Sequence, residues 1–365
     1  MTSTENKLKR KSNIEILRIV AMLMVVMGHY VYYGIMQVGT NDPYALYISG
    51  SNTRQIISAM LILGSFGVGI FFAISGYFSV SLQGVRLHSF IRICIQIVLY
   101  ALISIAAYSC FKFRGVPLQG DTSQHLLTII NVLFAPLSGS QWWFATAYLV
   151  LMLIAPYYNQ FLSKLNKRHK LLLLGYLYIH MYLFGKIHSN IYDLEVAVFY
   201  YTIGYYIRTE TKEHKKFTGI FLFFIAVIVN GICQYKLASY SSGTQSVIIR
   251  KMFSFISEAV QPIGVAGILS CFIAIESGNI KIINNISKHT FGVYLFHCAP
   301  FIGSVIWGLL IDPKTAYMSG YYYIFLFLIP VIVFCFGVVV DCALSPIVTL
   351  ISTFIEKKYA SNRSQ

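Results

Sequence analysis

The sequence predicts an all-α fold, a polytopic integral membrane protein with about ten transmembrane helices. Of its 365 residues, 57% are hydrophobic and only 11% are charged, and the mean hydropathy is +0.67. Soluble domains carry roughly 25% charged residues. The net charge of +15 comes from Lys and Arg that lie mainly in short segments between apolar runs. That distribution is typical of membrane topology and argues against a nucleic-acid partner.

The apolar runs define the elements in order. The first run is too long for a signal-peptide core and lacks a cleavage pattern, so we expect it to remain as a helix. The segment 111–141 contains an apolar piece too short to cross, which predicts a re-entrant or interfacial segment. The predicted spans are about 14–35, 56–80, 89–110, 142–160, 171–187, 191–208, 217–235, 252–275, 290–311 and 321–345. Residues 13–346 therefore form the membrane domain, between tails at 1–12 and 347–365.

The charge asymmetry predicts the orientation of these spans. With the N-terminus inside, 20 of the 28 Lys and Arg fall in inner segments. The sequence therefore predicts that both termini are cytoplasmic and that the chain is a multi-pass protein of the plasma membrane. It shows no internal repeat and no separate soluble domain, and it gives no indication of the oligomeric state.

The cysteines predict neither a disulfide framework nor a metal site. They have no CxxC spacing and no Cys/His ligand spacing, so we interpret them as small buried apolar residues. The seven are Cys94, Cys110, Cys233, Cys271, Cys298, Cys335 and Cys342.

Two ionisable residues in the first span form the principal candidate site. Arg18 and His29 are eleven residues apart, which places them on nearly the same helix face and roughly 16 Å apart along the axis. Arg18 could be an interfacial anchor and His29 a helix–helix hydrogen-bonding residue. An ionisable group at this depth is also a functional-site hypothesis. The pair suits a phosphate-bearing donor bound by the guanidinium and a reaction at the imidazole.

Further candidates lie near later spans. Arg86 and Arg92 follow the second span and are either positive-inside charges or phosphate contacts. Trp143 begins the fourth span and fits an aromatic belt, whereas the histidine at 297 fits a structural hydrogen bond or catalysis. The intramembrane carboxylates orient an acceptor or pair with a buried cation. The remaining candidates are Tyr294, His297, Glu195, Glu258 and Asp341.

Four stretches together resemble the membrane acyltransferase 3 family, bacterial O-acetyltransferases of cell-surface glycans. They are the Arg18–His29 span, Phe-x-Ile-Ser-Gly-Tyr at 72–77, Trp-Phe-x-x-x-Tyr-Leu at 143–149 with Pro156, and Ser-Lys-His-Thr-Phe-Gly-Val-Tyr-Leu-Phe-His at 287–297. Ten spans with both ends inside is also the family's arrangement. The family often has Arg-x-x-Arg after the Ile-Ser-Gly segment. Here Arg92 matches the second member and Ser89 stands at the first, with Arg86 as the candidate substitute.

The resemblance implies a bacterial enzyme that takes acetyl-CoA from the cytoplasm as its donor substrate and has no permanently bound cofactor. His29 would be the catalytic residue, either as general base or as carrier of a covalent acyl group. Arg18, Arg92 and Arg86 would bind the donor. The acceptor would be a polysaccharide or lipid-linked glycan, and Trp143, Glu258, Tyr294 and His297 would support its binding or reaction.

Other functions remain open on the residues alone. A transporter or flippase of a polysaccharide precursor would also use intramembrane His, Glu and Asp, although many transporters show repeat symmetry. A polysaccharide polymerase would need a large outer loop, and a structural scaffold would not need buried ionisable groups. A requirement for acetyl-CoA separates the acyltransferase from the transporter.

Overall fold

The fold is entirely helical wherever the structure describes the chain. The computed structural model describes residues 12–35, 59–116, 118, 121–134, 137, 142–181, 189–239, 244–307 and 321–361, and these ranges contain no β-strand. The helices in order are α1 Ser12–His29, α2 Ile62–Phe78, α3 Leu87–Phe113, α4 Thr122–Phe134, α5 Trp143–Ser163, α6 Lys167–His180, α7 Ser189–Glu210, α8 Lys216–Ser239, α9 Thr244–Ala274, α10 Lys281–Ser287, α11 Thr290–His297, α12 Pro300–Val305 and α13 Tyr322–Ser361. A π-helical turn, Tyr30–Ile35, follows α1.

Several helices are long and apolar enough to cross a membrane. Within the described ranges these are Ser12–Ile35, Leu87–Phe113, Lys216–Leu237, Ile248–Ala274 and Tyr323–Lys358, and the shorter apolar helix Ile62–Phe78 accompanies them. The predicted membrane protein with an all-α fold is confirmed at this level. Residues 1–11 of the predicted N-terminal tail lie outside the described residues.

Helix α1 lies at the centre of the helix assembly. It packs on α2, α9, α10, α11 and α13. Its most apolar window is 67% buried, whereas the windows of the other candidate spans are 22–39% buried. Leu17, Ala21 and Val26 on α1 have no exposed surface, so this helix contacts protein on most of its circumference. A side chain at its end therefore sits inside the assembly rather than in lipid.

The Ile-Ser-Gly-Tyr segment lies where α2 and α7 approach most closely. A Cβ atom added to Gly76 would overlap the backbone carbonyl of Tyr201, and one added to Gly204 would overlap the carbonyl of Ala73. Two glycines thus face the opposite backbone in a reciprocal contact, which only small residues permit. This packing explains the glycine of the segment without a catalytic role.

The chain between α9 and α13 corrects one prediction. A single span over 290–311 was expected, but the described part, up to Trp307, contains the short helices α11 and α12. Ala299 is extended (φ −62°, ψ 132°) and Pro300 begins α12. The break follows because proline disfavours a helical conformation in the residue before it and has no N–H to donate. The interruption comes directly after His297 and Cys298.

Two further regions concern the predicted boundaries, the C-terminal tail and the segment 111–141. Helix α13 continues to Ser361, so much of the predicted tail at 347–365 is helical. The segment 111–141 contains α4, whose 13 residues are too few to cross. At the start of α4, Asp121 accepts a hydrogen bond from the backbone N–H of Gln124. The pKa of Asp121 lies below its usual value, mainly because the Ser123 hydroxyl donates a hydrogen bond to the carboxylate. That this segment is re-entrant or interfacial stays a prediction.

The cysteine interpretation holds for only part of the set. Cys233 and Cys271 are buried, as expected of small apolar residues. The prediction is wrong for Cys110, Cys335 and Cys342, which are exposed on the outer faces of α3 and α13. An apolar side chain on such a face suits lipid as well as protein, because the bilayer core is itself apolar.

Candidate functional site

His29 and His297 meet where α1 and α11 end. Nδ1 of His29 lies 2.9 Å from Nε2 of His297, and the ring centroids are 5.1 Å apart. Each histidine is the last residue of its helix, and the two helices pack on each other. His29 is half-buried, whereas His297 is only 1% exposed. The fold therefore pairs two histidines that are 268 residues apart in the chain.

The second nitrogen of His297 determines how the pair shares its protons. Nδ1 of His297 is 2.6 Å from the carbonyl oxygen of Val293, and a carbonyl can only accept, so this nitrogen carries a hydrogen. With His297 neutral, its Nε2 is an acceptor, and Nδ1 of His29 must donate to it. His29 then has its lone pair on Nε2. A chain of hydrogen bonds from a main-chain carbonyl thus fixes the tautomer of His29.

Cys298 is the third member of this cluster. Its sulfur lies 3.4 Å from Nδ1 of His29. The candidate ligand atoms of His29, His297 and Cys298 all lie within 4.8 Å of one another. Sequence spacing missed this group, because His297 and Cys298 are adjacent while His29 lies on the first helix. The only sequence signal is that His297 and Cys298 stand directly before the break at Pro300.

Two tryptophans and a tyrosine hold the segment that carries His297. The indole N–H of Trp307 donates to the carbonyl of His297, and that of Trp142 donates to the carbonyl of Leu295, each at 3.3 Å. The ring of Tyr294 stands nearly perpendicular to that of His297, with centroids 6.1 Å apart. Tyr294, predicted as a supporting residue, therefore packs against the histidine pair. Trp142 and Trp307 were not singled out from the sequence.

A cavity of about 470 Å³ opens beside His29. The end of α1, the starts of α2, α5 and α7, the end of α6 and the middle of α9 all contribute to its wall. Trp143 and Glu258, both predicted as supporting residues, line it together with His29. It also contains residues that the sequence analysis did not single out, namely Tyr32, Tyr33, Ser65, Tyr192, Asp193, Tyr200 and Gln261. The volume falls within the roughly 300–1,000 Å³ typical of small-molecule sites.

Arg18 lies nearer the start of α1 and forms an ion pair within its own helix. Its Nη1 donates to both carboxylate oxygens of Glu15, at 2.9 and 3.0 Å. Glu15 also accepts a 2.5 Å hydrogen bond from the Ser287 hydroxyl at the end of α10. The Arg18 side chain is 31% exposed and that of Glu15 6%. Glu15, an ionisable residue near the start of the first span to which the sequence assigned no role, thus orients the guanidinium from one side, and the hydrogen bonds among the described residues leave its other N–H groups available.

The other predicted donor contacts lie on the surface. Arg86 directly precedes α3 and Arg92 lies near its start, and both side chains are exposed. A different arginine contacts the Ile-Ser-Gly-Tyr segment. Arg208, at the end of α7, donates to the Tyr77 hydroxyl at 3.2 Å, and its guanidinium carbon lies 5.2 Å from the centre of the Tyr77 ring. From the sequence, Arg208 is one of the 20 Lys and Arg of the predicted inner segments.

Asp341, the buried carboxylate of α13, pairs with a basic side chain, that of a histidine. Asp341 accepts hydrogen bonds from Gln96 and Tyr100 of α3, at 2.7 and 3.1 Å. Its other oxygen is 2.7 Å from Nδ1 of His289, just before α11. Of the two roles left open by the sequence, the partner of a buried basic group is the one observed. Glu195 likewise pairs with a histidine, His180, at 3.1 Å.

Comparison with known proteins bears on what this site does. A family model described as an acyltransferase domain matches residues 11–344, which include Arg18, His29, the cavity and His297. The comparison with curated proteins and that with solved structures each gave no match.

Proposed function

This chain belongs to the acyltransferase 3 family and is a membrane acyltransferase, and we propose that it is an O-acetyltransferase. The donor is acetyl-CoA from the cytoplasm, and the acceptor is a hydroxyl of a cell-surface or exported polysaccharide. The observation that carries this proposal is the hydrogen-bond chain from the Val293 carbonyl through His297 to His29. This chain of hydrogen bonds fits a role for His29 as a base rather than as a packing residue, because it leaves the lone pair on Nε2 of His29 available beside the cavity.

The reaction follows from that tautomer. An acceptor hydroxyl in the cavity gives its proton to Nε2 of His29 while its oxygen attacks the acetyl carbonyl carbon. The tetrahedral intermediate collapses, the carbon–sulfur bond breaks, and the leaving thiolate takes the proton back from Nε2. During the step His29 is an imidazolium, and its Nδ1–H···Nε2 bond to His297 becomes a charge-assisted hydrogen bond. His297 thus acts on the reaction by positioning and stabilising His29.

A covalent route uses the same geometry. Nε2 of His29 attacks the acetyl carbonyl directly, the CoA thiolate leaves, and the Nδ1 proton passes to His297. The acceptor oxygen then attacks the carbonyl carbon of acetyl-His29 and the bond from that carbon to Nε2 breaks. The acceptor's proton passes to the departed thiolate, and Nδ1 recovers its proton from His297. The two routes differ in whether acetyl-His29 accumulates when donor is supplied without acceptor.

Arg18 is the donor contact that the geometry supports best. It lies roughly 16 Å from His29 along α1, at the opposite end of the helix from the cavity. Glu15 occupies one nitrogen of the fork, and a guanidinium has five N–H donors, so several remain for phosphate. Arg86 and Arg92 follow α2, which runs antiparallel to α1 with Gly64 near Gly28 and Gly67 near Ala21, and these exposed arginines would contribute charge around the donor.

The cavity composition suits a sugar. Trp143, Tyr192 and Tyr200 provide flat apolar surfaces on which a sugar ring can pack, and Asp193 and Glu258 provide hydrogen-bond acceptors for its hydroxyls. The cavity wall is formed by the end of α1, the neighbouring ends of α2, α5, α6 and α7, and the middle of α9. With ten spans and both termini cytoplasmic in a bacterial plasma membrane, this end of the assembly faces outward, where an exported glycan is accessible.

The test uses the full-length protein in sealed proteoliposomes with labelled acetyl-CoA inside and polysaccharide outside. We expect label to appear on the outer polysaccharide, and His29→Ala to abolish it. His169→Ala is the matched control, because this exposed histidine contributes only its backbone N–H to the start of α6. Movement of glycan across the membrane without acetyl-CoA would instead identify a transporter.

A further inference from the structure

The cluster of His29, His297 and Cys298 has the composition and size of a three-residue metal site. Two imidazole nitrogens and one sulfur are ligands typical of zinc. A tetrahedral Zn²⁺ with Zn–N of about 2.0–2.1 Å and Zn–S of about 2.3 Å separates its nitrogens by roughly 3.3 Å and nitrogen from sulfur by roughly 3.6 Å. The observed separations are 2.9 Å between Nδ1 of His29 and Nε2 of His297, and 3.4 Å between that Nδ1 and the sulfur. All three ligand atoms lie within 4.8 Å of one another, so a tetrahedral ion requires the widest separation to close by up to about 1.2 Å.

The surroundings of His297 match those of a zinc ligand. Histidines that bind metal through one nitrogen usually donate from the other to a carboxylate or backbone carbonyl, which fixes the ring. Nδ1 of His297 does this toward the Val293 carbonyl at 2.6 Å. Its Nε2 lone pair therefore already points at the cluster. This contact is independent of the distances between the three ligand atoms.

The cluster of His29, His297 and Cys298 is open to the cavity, and a fourth zinc ligand can come from solvent. His29 lines the 470 Å³ cavity, and both His29 and Cys298 are only half-buried. Three protein ligands leave a fourth tetrahedral position, which a water molecule from the cavity fills. An ion that enters through the cavity reaches the cluster on the side where the acceptor binds.

We propose that Zn²⁺ binds His29, His297 and Cys298 and thereby switches the acyltransferase off. This regulation rests on the proposed role of His29. Binding forms bonds from zinc to Nδ1 of His29, to Nε2 of His297 and to the sulfur of Cys298, and the thiol proton is released to solvent. The proton on Nδ1 of His29 moves through water to Nε2. The ring then carries a hydrogen where the base needs a lone pair, so the acceptor hydroxyl cannot be deprotonated.

The direct test measures the metal without the reaction. Full-length protein in detergent is titrated with Co²⁺, which takes up zinc sites and gives a thiolate-to-metal charge-transfer band, and bound Zn²⁺ is counted after exchange. We expect one ion per chain. Cys298→Ser removes the band and weakens zinc binding by more than roughly 10-fold. Cys94→Ser, a free and equally half-buried cysteine on α3, is the matched control and retains both.

Acyl transfer is then measured in the same preparations with and without Zn²⁺. We expect zinc to inhibit the parent protein and Cys94→Ser alike, and to inhibit Cys298→Ser only at concentrations more than roughly 10-fold higher, each rate being compared with that of the same protein without zinc. No cobalt band, or a band that survives Cys298→Ser, overturns the metal site even if acyl transfer proceeds normally. A band that depends on Cys298 together with undiminished transfer at full occupancy supports the site and overturns the regulation. Absence of transfer in zinc-free parent protein counts against the proposed function, and the cobalt result still decides the site.

Discussion

Replacement of His297 tests whether this histidine acts through His29. In His297→Ala the 2.9 Å hydrogen bond to Nδ1 of His29 is lost, together with the contact to the Val293 carbonyl. The Nδ1–H of His29 keeps only the sulfur of Cys298, at 3.4 Å, as a weak acceptor. The ring is then free to adopt the other tautomer, in which Nε2 carries the hydrogen and cannot accept a proton.

The expected magnitude follows from that lost contact. Leaving a buried donor without its partner costs about 1–3 kcal/mol. If the cost falls on the reactive tautomer, the rate of transfer decreases roughly 5- to 150-fold. Removal of the base itself, in His29→Ala, is expected to cost roughly 10²- to 10⁴-fold. His297→Ala should therefore retain more activity than His29→Ala.

The assay is the turnover of labelled acetyl-CoA at saturating acceptor, in protein preparations matched for amount and for thermal midpoint. His297→Gln, whose amide oxygen can accept from Nδ1 of His29, should recover part of the loss. The double variant His29→Ala/His297→Ala should be no slower than His29→Ala alone, because positioning has no effect without the base. Full activity of His297→Ala, or losses that multiply in the double variant, would refute the reasoning.

Three further predictions concern the donor contact and the packing. Arg18→Ala should raise KM for acetyl-CoA roughly 10- to 100-fold with kcat little changed, since a charge-assisted contact is worth about 1.5–3 kcal/mol. An unchanged KM in steady-state kinetics would show that Arg18 does not bind the donor. Gly76→Ala places a methyl group against the backbone of α7 and should destabilise the protein by about 1–3 kcal/mol or more. Gly175→Ala, in the interior of α6 with no described atom within 4 Å, should keep or slightly raise the thermal midpoint in detergent, because Ala favours a helix over Gly by about 0.5–1 kcal/mol. Equal midpoints for the two variants would contradict the packing. Asp341→Ala leaves His289 without its buried partner and should lower the free energy of unfolding by about 3–5 kcal/mol, with Asp341→Asn milder; a parent-like unfolding curve for the alanine variant would show that the pair is not stabilising.

His29 can be selected as a candidate site residue from the sequence because the pattern that indicates it lies within one short segment. An imidazole deep in an apolar run is costly to keep, and its distance from Arg18 follows from helix geometry alone. The all-α membrane fold is likewise visible in composition and in the spacing of apolar runs. Trp143 and Glu258 could be selected as candidates for similar reasons, since each is a polar or aromatic exception within an apolar span.

The partners of these residues depend on tertiary packing and could not be derived from spacing. His297 and Cys298 reach His29 only because the chain breaks at Pro300 and α11 packs on α1. In the sequence this break lies within one apolar run, which predicts a single span over 290–311. The pairing of Arg18 with Glu15 was within reach, since residues three apart on a helix are neighbours. Its link to Ser287 was not, because α10 lies 272 residues away.

The measurement that tests the central claim most directly is an NMR spectrum of the surface polysaccharide from cells that carry the parent gene or His29→Ala. The two proteins must be present in the membrane at equal levels. The account predicts that O-acetyl signals disappear in the variant while the glycan backbone and its amount stay the same. Unchanged O-acetylation in His29→Ala cells would contradict the assignment of His29 as the catalytic residue, and loss of the whole glycan from the surface would favour a transporter.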